Sequence, residues 1–232
     1  MKITLDVENT VTKRSGKMYL DPFEPENSLT MIGVLTDQGT EQHFPFDHAD
    51  VPNQQDYYER VQWYLDEATI IICHNAAYDL MWLWESGFKY DGPVFDTMLA
   101  EYILQRGIKE PLSLQACAER YNLDTKKQDT LKEYFANGYS TRDIPYNDLC
   151  EYLSADLHAT QQLSDKLIYR LNTPQDSGLM DTVTLTNQVV VCLARIYQRG
   201  FKVDINSLQD VQKQFEEEKK QLENDLKLHV KT

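Results

Sequence analysis

Cysteine is scarce in these 232 residues. The four present, Cys73, Cys117, Cys150 and Cys192, lie far apart and make no C-x-x-C pair, which excludes zinc knuckles and dithiol redox pairs and leaves reduced thiols. Basic residues are also few: 23 Lys and Arg stand against 37 Asp and Glu, a formal charge of −14. A uniformly basic nucleic-acid coat is excluded, and polyanions are repelled at long range except where metals or local basic patches intervene. Long hydrophobic runs are missing; stretches such as Ile70-Ile71-Ile72-Cys73 fall far short of a membrane span. Met1-Lys2-Ile3-Thr4-Leu5 runs straight into acids and carries no secretory n-region and h-region. The expectation is a soluble cytoplasmic protein with no membrane partner. What is present is ordinary globular usage, 41% apolar and 26% charged, in one or two domains able to bury a core without disulfides or a structural metal.

The chain opens with a strand at Lys2 to Val7. The polar, Gly- and Pro-containing stretch from Thr10 to Asn27 reads as a loop. A second strand runs from Ser28 to Thr36 and can pair with Gln42 to Phe46 across Asp37-Gln38-Gly39-Thr40. Tyr57 to Leu65 has helical spacing, and Ala68 to Cys73 has the β-branched, apolar character of a strand inside a sheet. Helices then dominate: Ala76 to Glu85, Thr97 to Gln105, Ser113 to Tyr121, Leu131 to Phe135 and Tyr146 to Leu171, with Asp96 and Ser113 as N-caps. Strands first, a strand–helix unit in the middle and helices last fit an α/β or α+β core with helices on a sheet. Beyond the loop signal at Asn172-Thr173-Pro174-Gln175, two more helices follow, Leu179 to Gln198 and an amphipathic Asn206 to Val230. Domain boundaries are expected at 1–172 and 173–232.

Chemistry can reside in three places. Asp6 and Glu8, two apart on a strand, share one sheet face and repel each other unless a cation lies between them. By itself, Asp-x-Glu is more often a solvent-facing pair on an edge strand. His74-Asn75-Ala76-Ala77-Tyr78-Asp79 follows the buried strand, where functional loops of α/β sheets gather, although Asn75 is equally an N-cap. Tyr152 and Asp156 stand at i,i+4 on the long helix, a spacing that also suits a plain half-buried hydrogen bond. Taken together, Asp6, Glu8, Asp79 and Asp156 can converge to bind two hard cations ~4 Å apart, as in-line phosphoryl displacement requires. Tyr152 is then placed to hydrogen-bond the attacking water.

These three segments, in this order, resemble the exonuclease motifs of the DEDD superfamily, and beyond it the 3′→5′ proofreading domain of family A DNA polymerases. Tyr90 to Leu104 is similar to the strand–helix segment between the second and third motifs, and Leu112-Ser113-Leu114 to the helix start after it. The resemblance spans roughly residues 1 to 170. Tyr152 stands four before Asp156, whereas a histidine-type member carries His at the position of Glu151, so the chain resembles the tyrosine type. His158 lies on the wrong side of Asp156 and reads as structural.

The resemblance implies a ribonuclease H-like mixed sheet flanked by helices, with a C-terminal helical extension. It implies two divalent cations, Mg²⁺ or alternatively Mn²⁺. Asp6, Glu8 and Asp156 would hold one, Asp6 would be shared with the second, and Asp79 would act on the second through water. It further implies substrate contacts at Asn9, Thr10, His74 and Asn75; Asn9 departs from the Thr that many relatives carry after the first-motif Glu. Lys13, Arg14, Lys17, Lys126, Lys127 and Arg142 are candidate phosphate contacts, and Tyr19, Phe23, Tyr78 and Phe135 candidate stacking residues. The implied partners are a single-stranded DNA 3′ end and a polymerase domain of the same parent chain. Arg199 to Asp204 and the helix after it resemble the segment leading toward a polymerase thumb, and no polymerase motif occurs by Thr232. A phage-like parent, and hence the host cytoplasm, is expected, with a separately encoded exonuclease as the alternative. A ribonuclease D-like RNA exonuclease and a catalytically silent DNA-binding module stay open.

Overall fold

The computed structural model describes residues 1–123 and 128–230, without the side chains of 128–130. Lys126 and Lys127 therefore lie outside the described residues. Alternation along β1 (Lys2–Asn9) sets the two faces of the main sheet. Ile3, Leu5 and Val7 are buried on one face, while Thr4, Asp6 and Glu8 point to the other. A small separate ribbon follows, β2 (Thr12–Arg14) antiparallel to β3 (Lys17–Tyr19). β4 (Leu29–Thr36) then pairs antiparallel with β1, and β5 (Glu41–Pro45) antiparallel with β4. After α1 (Gln55–Glu67), β6 (Ile70–Cys73) joins β1 in parallel; after α2 (Ala76–Glu85), β7 (Val94–Asp96) joins β6 in parallel. The order β5-β4-β1-β6-β7 makes β1 the central strand, so its acids sit in mid-sheet rather than on an exposed edge.

Helices cover both faces, as a sheet buried on both sides requires. Val61 and Leu65 of α1 and Ala76, Leu80 and Leu83 of α2 pack with Ile3, Leu5 and Val7. The opposite face is covered by α3 (Thr97–Leu104), α4 (Leu114–Arg120), α5 (Gln128–Ala136) and the 26-residue α6 (Tyr146–Leu171). α6 buries Leu149, Leu153, Leu157, Leu163, Leu167 and Leu171 along one stripe, each worth about 1.5–3 kcal/mol of transfer free energy. It lies close to the sheet because Gly33 of β4 has no side chain. A Cβ there would come within 2.8 Å of Leu153 Cγ and Leu157 Cδ1. Since Gly33 pairs with Asp6, this close approach is also what brings α6 down to the acids of β1.

Most elements fall where the spacing predicts, but the stretch from Thr10 to Asn27 is not simply a loop. Ser15 and Gly16, with φ of 51° and 77°, form the kind of two-residue turn that closes a hairpin. The flanking strands are too short and too polar to betray their period. α7 (Met180–Arg199) seats Val183, Asn187 and Ala194 against the core, and residues Met1–Gln198 form one compact unit. The boundary expected at 172 thus falls inside that unit. Residues 177–199 are also long and apolar enough to cross a membrane by length and composition alone, which inspection of unbroken apolar runs does not detect. Arg199–Thr232 form a second unit built on α8 (Ile205–Val230). Asp204 caps that helix, accepting from the N–H groups of Asn206 and Ser207 at 3.0 and 3.2 Å.

Candidate active site

Three elements deliver the acids. β1 presents Asp6 and Glu8 two residues apart on one face. A register shift at Glu8/Asn9 then ends the regular pairing with β4, a bulge of the kind found beside active sites. α2 presents Asp79, only 2% exposed. α6 presents Tyr152 and Asp156, both half-buried, with the Tyr152 hydroxyl donating to the Asp156 carboxylate. The five side chains line one cavity of about 660 Å³, inside the usual range for ligand pockets.

α2 is aimed at this cavity by a buried carboxylate. Asp96, fully buried at the end of β7, accepts from the N–H groups of Asn75 and Ala76 at 3.1 and 2.9 Å. It also accepts from Met98 and Leu99 at 2.9 and 3.2 Å. One side chain therefore caps both α2 and α3. The spacing predicts the second role, as N-cap of the helix that follows Asp96, and misses the first, because nothing local links Asp96 to a helix twenty residues earlier. Asn75 is not the side-chain cap of α2; its own φ is 74°, in the left-handed region that Asn tolerates.

The electrostatics are those of crowded acids. Burial first, and then the Asp156 charge, push Asp6 from 3.8 up to about 8, with the Val7 N–H opposing. Burial followed by the charges of Asp6, Asp156 and Asp79 holds Glu8 well above the carboxylate range. Asp79 is raised by burial and then by Asp6 and Asp96. The Tyr152 hydroxyl is pushed far above the ordinary phenol range by burial and by Glu8, Asp156 and Asp6. In the metal-free protein the hydroxyl is therefore protonated. As they stand, no three His, Cys, Asp or Glu side chains among the described residues are gathered closely enough to hold a metal ion. The donor set itself fits hard divalent cations: oxygen ligands only, acids facing acids, and no described ion pair to Asp6, Glu8 or Asp79.

The expected substrate contacts divide. Asn9 and His74 line the cavity, but their polar atoms are engaged. Asn9 accepts from the Tyr78 hydroxyl at 2.6 Å and donates to the Thr10 carbonyl at 2.7 Å. The His74 ring nitrogens stand 2.8 Å from Thr97 Oγ1 and 2.8 Å from the Leu112 carbonyl. Thr10 is tied to Ser28, whose N–H donates to it at 2.7 Å; neither Thr10 nor the exposed Asn75 lines the cavity. Of the phosphate candidates, Arg14 is held by Glu24 and Glu26, Arg142 pairs with Asp47, and Lys13 faces the cavity. Tyr139 and Thr141 line it too and had no sequence signal beyond the neighbouring Gly138, whose φ is 85°.

A mixed five-stranded sheet with helices on both faces and acids on its central strand defines a ribonuclease H-like fold. Within that class the chain belongs to the 3′-5′ exonuclease domain family of family A DNA polymerases, which matches residues 20–172. Asp6 and Glu8 precede the matched span, so their place in the site rests on the sheet geometry. The chain is 28% identical over 147 residues to DNA polymerase I of Synechocystis sp., which covers 63% of this chain and 14% of that protein. Its fold is similar to Brucella melitensis NrnC with bound Mg²⁺, at TM-score 0.59 and 20% identity over 88% of this chain and 89% of that one. It is also similar to Escherichia coli RNase D, an exoribonuclease involved in structured RNA processing, at TM-score 0.56 and 15% identity over 87% and 46%. The POL domain of Pol1 from M. smegmatis in complex with DNA primer-template and dNTP matches at TM-score 0.61 and 15% identity over 93% and 31%.

Proposed function

We propose that this chain is a divalent-metal-dependent 3′→5′ exonuclease that removes 5′-mononucleotides from single-stranded or frayed DNA 3′ ends, the proofreading module of a cytoplasmic polymerase. The carrying observation is the convergence of Asp6, Glu8, Asp79 and Asp156, with Tyr152, from three elements on one cavity. Asp6, Glu8 and Asp156 would hold one Mg²⁺ or Mn²⁺, and Asp6 with Asp79 a second. Bound there, such ions supply a deprotonated water and neutralise charge on the scissile phosphate. The chain's own residues do the positioning. Asp6 and Glu8 hold the ligand geometry from the centre of the sheet, and Asp79 and Asp156 from α2 and α6. The Tyr152 hydroxyl, which donates to Asp156 in the metal-free protein, would turn to donate to the attacking oxygen once Asp156 holds a metal.

A time course on a 5′-labelled single-stranded DNA oligomer, with Mg²⁺ or with EDTA, tests this. A ladder shortening from the 3′ end only with metal is the expected result. Its absence from a folded protein overturns the reading in favour of a silent binding module. The fold likeness to RNase D and to NrnC bound to pGG favours a second reading, an RNA exonuclease. A matched RNA oligomer degraded faster than DNA would establish it.

A further inference from the structure

The carboxylate cluster is one part of the cavity lining, and the chemistry leaves another part unused: the ribbon β2–β3, which the sequence reads as loop. Its two faces differ. On one, Thr12 Oγ1 donates to Asn27 at 2.8 Å, and Arg14 makes paired hydrogen bonds to Glu24 at 2.8 and 3.1 Å. That face is consumed in holding the ribbon to the segment that follows it. On the other, Lys13 and Met18 are directly cross-strand neighbours, and both line the cavity. The foot of the ribbon is pinned to α2, with the Tyr78 hydroxyl donating to the Leu20 carbonyl at 2.8 Å as well as to Asn9. The wall is thus anchored at its base, and its exposed Lys13 and Met18 line the same cavity as the acids.

Charge and polarity make this wall a grip. Among the described lining residues Lys13 is the sole Lys or Arg, it has no described ion-pair partner, and the chain carries −14 overall. Beyond the cations that the carboxylates would hold, a backbone phosphate entering this cavity finds its side-chain cation at Lys13. Met18 is 62% exposed beside it, an unusual outlay of apolar surface for a polar hairpin. Phe135 and Tyr139, from the end of α5 and the turn beyond it, are exposed and line the same cavity. Aromatic faces and a polarizable thioether suit the flat faces of nucleobases.

Resting on the exonuclease reading, we propose that β2–β3 is a jaw that holds the single strand against Phe135 and Tyr139. Lys13 takes a backbone phosphate and Met18 packs on a base, without base-edge readout. The ribbon holds the strand without regard to sequence, since a phosphate contact and an apolar contact to a base face read no base edge.

The test measures binding and cleavage separately. Binding of a fluorescent oligothymidylate with a hydrolysis-resistant 3′-phosphorothioate linkage is followed by anisotropy in Mg²⁺ across a salt series, for the intact chain and for Lys13→Ala and Met18→Ala. Both residues are exposed, so neither change threatens the fold. Each variant is expected to weaken binding about three- to tenfold. Lys13→Ala is also expected to flatten the slope of log K against log salt by about 0.7, one single-strand phosphate contact, while Met18→Ala leaves the slope unchanged. Affinities within twofold of the parent, or an unchanged slope in Lys13→Ala, overturn the jaw. Cleavage of the all-phosphodiester oligomer reports on the exonuclease reading independently. A chain that binds but never shortens DNA loses that reading while the affinity comparison still decides the jaw. A chain that binds no oligomer loses both.

Discussion

Replacing Asp6 by Asn should make the metal-free protein more stable while destroying its use of metal. Asp6 is raised from 3.8 to about 8 by burial and then by Asp156. At about 1.4 kcal/mol per pH unit, the ceiling on the cost of ionising it in the fold is about 6 kcal/mol. Asp6 is only half-buried and opens on a cavity, and solvent screening reduces the expected gain to about 2 kcal/mol. Between pH 4 and pH 8 the unfolded chain has released this proton and the folded chain has not. Stability of the parent in EDTA therefore falls as pH rises through that window. The advantage of Asp6→Asn should be small near pH 4 and full near pH 8, about 4–8 °C in melting temperature. Adding Mg²⁺ or Mn²⁺ should raise the parent's melting temperature and leave the variant's nearly unmoved. Thermal unfolding by circular dichroism at several pH values, with EDTA or metal, measures all of this. A variant no more stable than the parent in EDTA at pH 8, or one that metal stabilises equally, would falsify the claim that these acids crowd one another around a cation site.

Three other outcomes are expected. Tyr152→Phe should slow cleavage about 10- to 100-fold, the worth of one hydrogen bond to a charged partner, while calorimetry still detects metal binding; a normal rate would remove its hydroxyl from the chemistry. Gly33→Ala places a methyl group where Leu153 and Leu157 stand at 2.8 Å, so it should cost about 1–3 kcal/mol in denaturant unfolding and lower the turnover rate by lifting α6 off β1. Retained rate and stability would show that α6 can move without disturbing the site. Asp96→Ala removes the acceptor for four N–H groups and should cost about 2–4 kcal/mol, two helix caps together. A loss below 1 kcal/mol would mean that water replaces it freely.

Local pattern was sufficient for the elements whose side chains repeat. The leucines of α6 and the alternation of β1 announce a helix and a strand with their faces assigned, and the family belongs to the same legible layer, because the acids and Tyr152 sit at fixed offsets on those elements. Boundaries that depend on partners were less visible. Residues of α7 read as a helix, but that it belongs to the unit Met1–Gln198 follows from where Val183 and Ala194 are buried. The β2–β3 ribbon was missed because three-residue strands have no period to detect, and its Ser15-Gly16 turn is a weak signal by itself.

The sequence by itself therefore determined which residues are candidates for the chemistry and which elements hold them, since periodicity and spacing are properties of neighbours along the chain. Only the tertiary structure decided what those residues experience. Burial raises the pKa of Asp6, and the charge of Asp156, 150 positions away in the chain, raises it further; the approach that joins the two rests on a missing side chain at Gly33. Asp96 reaches back to cap a helix that precedes it, and Asn9 and His74, expected to meet substrate, spend their polar atoms within the protein. Hydrogen bonds, burial and charge repulsion act through space over a few ångströms, and the chain's order does not encode which distant atoms will share that space.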